Sequence, residues 1–106
     1  MDVIEISVVV PLWNEERNVE ALVAMLSRSK LFSGSSCAEA VLINNGSTDC
    51  TGELLEQAAS KHSWVRPIHL PKNRNYGGGV FEGCRLAAGR YLAFMPGDLQ
   101  YLEDDL

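Results

Sequence analysis

The sequence predicts an α/β fold of three layers, and two observations carry that prediction. Four short runs rich in apolar and β-branched residues have the length and composition of strands. The segments between them place apolar residues at helical spacing. Such alternation implies right-handed crossovers and a mostly parallel sheet with helices on both faces. The expected order is a Rossmann-like βαβαβαβ.

The predicted strands are VIEISVVVPL (3–12), AEAVLIN (38–44), WVRPIHL (64–70) and RYLAFM (90–95). Between the first two strands, apolar residues recur at i, i+3, i+4 and i+7, namely Val19, Leu22, Val23 and Leu26. This spacing predicts a helix that ends near Ser29. We expect Asn14 to cap its start, because a side-chain oxygen there can accept a backbone N–H.

Two further helices follow the same logic. In STDCTGELLEQAASKH, Ser47 or Asp49 can cap a helix whose buried face carries Leu54 and Leu55. The third helix is expected over 78–89, with the buried stripe made of Val80, Phe81, Cys84, Ala87 and Ala88. The whole of 1–106 is therefore predicted to be a single domain.

Composition narrows the classes of function. The chain has 106 residues, 46% of them hydrophobic, which indicates a globular protein with a core. Its net charge is −5 and its nine Lys and Arg residues are scattered, which argues against a nucleic-acid partner. The three cysteines include no CxxC pair, so a reduced, cytoplasmic environment is expected. The N-terminal apolar run is too short for a membrane span, so no integral membrane segment is expected.

A polar cluster follows each predicted strand: PLWNEE, NNGSTD, KNRNYGGG and PGDLQ. Ligands of parallel α/β sheets bind beyond the carboxyl ends of the strands, so these clusters form the predicted site. The glycine-rich cluster either admits a phosphate close to the backbone or lets a helix pack closely on the sheet. Asp98 and Gln100 offer hard oxygen donors suited to Mg²⁺ or Mn²⁺, although a helix cap or a solvated turn also explains Asp98.

The segments SVVVPLWNEERNVEALV, VLINNGSTDCTGELL and NRNYGGGVFEGCRLAAGRYLAFMPGDLQ, with their spacing, resemble a known family. They are similar to the N-terminal, nucleotide-binding half of family-2 glycosyltransferases of the glycosyltransferase-A fold. The resemblance covers residues 5 to about 101. The DLQ ending resembles the branch that transfers sugars onto polyprenyl phosphates.

The resemblance implies a nucleoside-diphosphate sugar, of UDP or GDP type, as the ligand. It implies a binding site made of Pro11, Trp13, Glu15, Ile43, Asn45, Asn73, Gly77 and Gly97. Asp98 and Gln100 would face a divalent metal, Mg²⁺ or Mn²⁺, and the diphosphate. The implied reaction is inverting transfer, in which a general base helps an acceptor oxygen attack the anomeric carbon.

The chain departs from the family pattern at two places. Asn44 and Asn45 stand where the family usually has an acidic pair, so recognition there would rely on neutral amides. The family's metal motif is commonly Asp-x-Asp, whereas Pro96-Gly97-Asp98 keeps only the second acid. Nucleotide preference is therefore expected to differ, and the loss of one charged ligand is expected to weaken the divalent-metal site.

The family's base and acceptor-binding elements lie well downstream of the DxD-like loop. We therefore expect this chain to be the donor-binding portion of a C-terminally truncated enzyme, inactive alone, at or near the membrane surface. A last strand left at a sheet edge would favour self-association. The alternatives are a non-catalytic α/β interaction or nucleotide-binding module with a degenerate site, and an unrelated nucleotide-binding or receiver-like α/β domain.

Overall fold

The fold is built around a parallel sheet of four strands. The computed structural model describes residues 3–32 and 37–97. The strands are β1 (Ile6–Leu12), β2 (Ala38–Asn45), β3 (Val65–Leu70) and β4 (Tyr91–Phe94), in the spatial order β3-β2-β1-β4. Every strand pair is parallel. The helices are α1 (Val19–Arg28), α2 (Thr51–Lys61) and α3 (Asn75–Leu86), so the predicted βαβαβαβ order is confirmed.

Side chains alternate across the sheet and divide the core between its two faces. In register, Val10 lies beside Leu42 and Val9 beside Val41. The even-numbered positions of β1 and β2 pack against α1 and α2, in one cluster that includes Leu22, Leu26 and Leu55. The odd-numbered positions form a second cluster, and α3 covers β1 and β2 on that side. The three-layer prediction is therefore confirmed.

The helix α1 begins later than the sequence predicts. Its first residue is Val19, and Asn14 lies five residues earlier in a turn, with φ of 50°. The side chain of Asn14 accepts the N–H of Thr48 at 2.8 Å instead of an N–H of α1. The prediction of Asn14 as a helix cap is wrong, because this side chain joins two loops.

The helix α3 also differs from its prediction. It runs over Asn75–Leu86 rather than 78–89, and its buried residues are Gly79 and Gly83. Phe81, predicted to be buried, is 64% exposed. The glycine face of α3 lies against the sheet. The helix is so close there that a Cβ at Gly83 would overlap the side chains of Ile43 and Val9.

This packing favours one of the two predicted roles of the glycine cluster. A Cβ at Gly79 would approach Asn45 Nδ2 to 2.9 Å and Pro11 Cβ to 3.4 Å. Gly79 and Gly83 therefore let α3 lie directly on β1 and β2. At Gly77, by contrast, a Cβ would meet nothing within 4 Å, so this backbone position remains open to a ligand.

The strand β4 forms one edge of the sheet and pairs with β1 alone among the described strands. All four of its residues are exposed, including Tyr91, Leu92 and Phe94. Within 3–32 and 37–97, no helix is long and apolar enough to cross a lipid bilayer.

Candidate functional site

A cleft of about 320 Å³ opens where the carboxyl ends of β1 and β2 meet the start of α3. Its lining residues are Pro11, Leu12, Trp13, Asn45, Asn73, Asn75 and Tyr76. Four predicted site residues, Pro11, Trp13, Asn45 and Asn73, are thus brought together at one place. The cleft occupies the position at which ligands of parallel α/β sheets bind.

The floor of the cleft is fixed by the side chain of Asn45, the last residue of β2. Its Nδ2 donates to the carbonyl oxygen of Asn75 at 2.8 Å. Its Oδ1 accepts the N–H of Arg74 at 3.0 Å. Since Asn45 is only 3% exposed, its amide is used mainly to hold the backbone where α3 begins.

The start of α3 needs this support because its first residue has an unusual backbone conformation. Asn75 has φ of 65°, a left-handed conformation that asparagine tolerates better than most residues. Asn73 Oδ1 accepts the N–H of Asn75 at 2.6 Å and closes a short turn. The turn directs the chain from β3 into α3 and places Tyr76 at the cleft.

The residue after β2 permits the same loop to approach the sheet. Gly46 has φ of 70°, and a Cβ there would overlap the backbone of Lys72 and Asn73. A glycine is therefore required at this point, both for its conformation and for its lack of a side chain. The close approach brings Asn73 beside the end of β2.

The NNGSTD cluster connects two loops on the other side of the sheet. Ser47 Oγ accepts the N–H of Asn14 at 3.0 Å, and Thr51 Oγ1 accepts the N–H of Glu15 at 2.9 Å. Asp49 Oδ2 accepts the N–H of Glu16 at 3.2 Å. The loop after β1, which carries Trp13, is therefore held by the loop after β2.

Asp49 is the charged member of this connection. Its Oδ1 accepts both the N–H and the hydroxyl of Thr51, the first residue of α2. Desolvation alone would raise the pKa of the Asp49 carboxyl, but the hydrogen bonds from Thr51 and Glu16 lower it below its ordinary value. Cys50 occupies the N-cap position of α2 without a side-chain cap hydrogen bond, so neither Ser47 nor Asp49 is the N-cap residue. Asp49 lies one residue earlier and accepts the Thr51 N–H.

Asn44 is also engaged within the chain. Its Oδ1 accepts the N–H of Ser47 at 3.1 Å, and its Nδ2 lies 3.1 Å from His69 Nδ1. The other ring nitrogen of His69 lies 2.6 Å from Glu56 Oε2. Both asparagines at the end of β2 therefore bind neighbouring groups of the protein.

The remaining predicted site residues lie outside the lining of the cleft. Glu15 accepts a hydrogen bond from Asn18 Nδ2 at 2.7 Å. Ile43 is fully buried beneath α3, and Gly77 lies on the first turn of that helix. Gly97 is buried against Leu12. Their roles in binding stay predictions.

The predicted metal ligands, Asp98 and Gln100, lie outside the described residues. Across 3–32 and 37–97, no group of three or more His, Cys, Asp or Glu side chains is arranged to hold a metal ion. The last described residue, Gly97, lies against Leu12 at the end of β1.

The sequence reasoning missed Tyr76 and Asn75 as lining residues. Both belong to NRNYGGG, from which only Asn73 and the glycines are predicted to contact a ligand. The available signal was an aromatic residue in a polar loop after a strand, because an aromatic at such a position is commonly exposed for binding.

A second cleft, of about 370 Å³, lies between α1 and α2. Its lining includes Val23, Leu54 and Ala58 with Lys61 and His62 at one end, and none of the predicted site residues. Although it is the larger of the two, we favour the cleft at the strand ends, because the polar clusters of the sequence converge there.

Comparison with known proteins identifies the family. The family model for glycosyl transferase family 2 matches residues 7–106. The chain belongs to glycosyl transferase family 2. The unrelated receiver-like alternative is thereby ruled out.

Among family-2 relatives, a dolichyl-phosphate beta-glucosyltransferase of Trichomonas vaginalis is 31% identical over 94 residues. That match covers 85% of this chain and 28% of the relative. The chain spans less than a third of the length of this and other curated relatives that it matches.

Solved structures confirm the glycosyltransferase-A fold expected of this family-2 member. The mannosyltransferase PcManGT of Pyrobaculum calidifontis, solved with GDP-Man and Mn²⁺, superimposes with a TM-score of 0.80 at 19% identity. It is matched over 92% of this chain and 28% of its own. TarS 1-349 of S. aureus, solved with UDP-GlcNAc, gives a TM-score of 0.78 at 24% identity, over 90% of this chain and 27% of its own.

Proposed function

We propose that this chain binds the nucleoside diphosphate of a nucleotide-sugar donor in the cleft at the strand ends. It would serve as the donor-binding portion of an inverting family-2 glycosyltransferase. The observation that carries the proposal is the convergence of Pro11, Trp13, Asn45 and Asn73 on one cleft beyond β1 and β2. These strands are the central pair of the sheet, where nucleotide sites of α/β folds form.

The comparisons support the class of ligand. PcManGT and TarS share the fold of this chain and were solved with GDP-Man and UDP-GlcNAc respectively. The Trichomonas relative is named as an enzyme that acts on dolichyl phosphate. We propose a polyprenyl phosphate as the acceptor, which would place the working protein at the cytoplasmic surface of a membrane.

A divalent metal, Mg²⁺ or Mn²⁺, would be held by Asp98 and Gln100. Carboxylate and amide oxygens are the donors that these ions prefer. PcManGT was solved with Mn²⁺, which supports a metal in this fold. When bound, such an ion supplies positive charge that offsets the negative charge developing on a departing nucleoside diphosphate.

The described residues would bind and orient the donor. Trp13 offers a half-exposed ring to the nucleoside, and the loop connection through Ser47 and Thr51 keeps that ring in place. The open backbone at Gly77, on the first turn of α3, is accessible to a phosphate at the positive end of the helix.

We also propose that this chain self-associates through β4. The exposed apolar residues of this edge strand, Tyr91, Leu92 and Phe94, would be covered by pairing with a second copy. Sedimentation velocity should show a dimer or larger species that grows with concentration. A monodisperse monomer at high concentration would contradict this proposal.

The donor-binding proposal is tested by isothermal titration calorimetry with UDP-GlcNAc and GDP-Man, each with and without Mn²⁺. Wild type is compared with Asp98→Ala and with Glu20→Ala, an exposed acidic position on α1 away from the cleft. Saturable binding that Mn²⁺ strengthens, and that Asp98→Ala alone weakens, supports donor binding. A folded protein that binds neither donor would instead favour the non-catalytic interaction module.

A further inference from the structure

Resting on the donor-binding proposal, we infer that the cleft holds the nucleobase by its ring faces and discriminates little between bases. Trp13 and Tyr76 would supply the contact, and hydrogen bonds to the edge of the base would contribute little. Tyr76 is thereby assigned a binding role that the sequence motifs did not indicate. The inference concerns the choice of nucleotide, not the sugar or the acceptor.

The first support is that both asparagines at the end of β2 already make hydrogen bonds within the protein. Asn45 binds the backbone of Arg74 and Asn75 through both ends of its amide and is 3% exposed. Asn44 likewise accepts from the Ser47 N–H and contacts His69. Releasing either amide for a ligand would leave buried or partly buried backbone groups without partners, which is costly.

The second support is the chemistry of the lining. All seven lining residues are uncharged, and two of them are aromatic. Three of the lining residues are asparagines, of which Asn45 is 3% exposed and Asn73 accepts the Asn75 N–H at 2.6 Å through its Oδ1. A site that makes edge hydrogen bonds can reject the wrong ligand by about 10⁴-fold, whereas an apolar site discriminates far less.

The third support is the exposure of the two rings. Trp13 is 53% exposed and Tyr76 is 58% exposed, and both line the same cleft from different elements. Trp64, in contrast, stacks on Phe32 with ring centroids 4.5 Å apart. Stacking is tolerant of base identity because every base has a π face.

The test compares UDP, CDP, GDP and ADP, with pyrophosphate as a ligand that lacks a base, by isothermal titration calorimetry of the wild-type chain. We expect the four nucleotides to bind with dissociation constants within about tenfold of one another, and more tightly than pyrophosphate. A preference above about tenfold for one base would overturn the inference while leaving donor binding intact. Pyrophosphate binding as tight as that of UDP would also overturn it.

Two variants at Tyr76 distinguish the contribution of its ring to nucleotide binding from the contribution of its hydroxyl group. Tyr76→Ala should raise the dissociation constants of all four nucleotides by roughly 5- to 150-fold, the range expected for the loss of one stacking contact. Tyr76→Phe keeps the ring and should bind like wild type. Phe81→Ala is the matched control, because Phe81 is an equally exposed aromatic of α3 that does not line the cleft.

The variant outcomes also decide between the two proposals. If Tyr76→Phe is as weak as Tyr76→Ala, or if the loss is confined to one base, the hydroxyl reads the base edge and the inference is wrong. If no nucleotide binds the folded wild type, the donor-binding proposal itself fails. Far-ultraviolet circular dichroism of each variant shows whether the fold is retained.

Discussion

The side-chain amide of Asn45 lies 2.8 Å from the carbonyl oxygen of Asn75 and ties the end of β2 to the first residue of α3. The same side chain accepts the N–H of Arg74. Two backbone groups at the cleft therefore depend on one buried residue. The cleft has its shape because a strand end and a helix start share this residue.

Removing the Asn45 amide should destabilise the protein. Asn45→Ala leaves the N–H of Arg74 and the carbonyl of Asn75 without their partner, at a cost of about 1–3 kcal/mol in the free energy of unfolding. Urea denaturation followed by circular dichroism measures this. Gln57→Ala, an exposed substitution on α2, should change stability by less than about 0.5 kcal/mol. Equal stability of the two variants would show that the bonds contribute nothing.

Asn45→Asp places a carboxyl group at the buried end of β2, and its effect on stability should depend on pH. The introduced carboxylate can accept from Arg74 but faces the Asn75 carbonyl oxygen, so burial and this neighbour raise its pKa. Destabilisation should be largest at neutral pH and shrink as the pH falls and a donating hydroxyl forms. A deficit independent of pH between 4 and about 7 would contradict this.

The sequence was sufficient to predict the order of the elements, because each strand is a short apolar run and each intervening segment carries apolar residues at roughly helical spacing. The hydrophobic spacing at Val19, Leu22 and Leu26 set the buried face of α1 correctly. It did not set the start of that helix. Asn14 resembles a cap locally, but its partner is Thr48, 34 positions later, and no local pattern can show such a pairing.

The buried face of α3 was mispredicted for a related reason. Large apolar side chains normally mark the core, yet here Gly83 faces the sheet and Phe81 faces outward. How closely α3 approaches the sheet depends on the side chains of Ile43 in β2 and Val9 in β1. The sequence of α3 alone contains no information about these contacts. Four of the predicted site residues line one cleft, because motifs at the ends of parallel strands converge by topology. The hydrogen bonds inside that cleft join residues far apart in the sequence, so no local pattern predicts them.

The buried pair Ser7 and Glu39 should contribute strongly to stability. Ser7 Oγ donates to Glu39 Oε2 at 2.6 Å, and the same carboxylate oxygen accepts the N–H of Ala88 at 2.8 Å. Ser7 Oγ also accepts the N–H of Gly89. The pair therefore fixes the connection between α3 and β4.

A double-mutant cycle of Ser7→Ala and Glu39→Ala tests this role. Each single variant leaves buried groups unpaired and should cost about 1–3 kcal/mol or more, since one partner is a charged group. Because the two side chains are hydrogen-bonded to each other, we expect a coupling energy of about 0.5–3 kcal/mol. Additive single effects in urea denaturation would indicate that the two residues act independently.

The Asp49 carboxyl should make stability sensitive to acid. Hydrogen bonds lower its folded pKa, so its contribution is present above the unfolded pKa and is lost as the pH falls through the folded value. Wild type should therefore lose stability below about pH 4, where carboxylates begin to protonate. Asp49→Asn should be less stable than wild type at neutral pH, and the difference should narrow on acidification. Glu53→Gln, on the exposed side of α2, serves as the control.

The difference in stability between wild type and Asp49→Asn should be measurable in thermal melts from pH 3 to about 7, a range that spans the titration of carboxyl groups. The amide introduced by Asp49→Asn would keep one acceptor for Thr51 while facing the Glu16 N–H with a donor. An unchanged gap between Asp49→Asn and wild type over this window would show that ionisation of Asp49 is not linked to folding.

Two glycines of α3 should respond in opposite directions to the same substitution. At Gly83, an added methyl group would overlap Ile43 and Val9, so Gly83→Ala should cost about 1–3 kcal/mol through overpacking. At Gly77, the methyl group would meet nothing within 4 Å, and Gly77→Ala should stabilise α3 by about 0.4–1 kcal/mol. Thermal unfolding of the two variants shows whether each substitution stabilises or destabilises the protein. Equal effects would contradict the close packing of α3. Because Gly77 is also a predicted ligand contact, weaker UDP binding by the more stable Gly77→Ala variant would locate the phosphates at the start of α3.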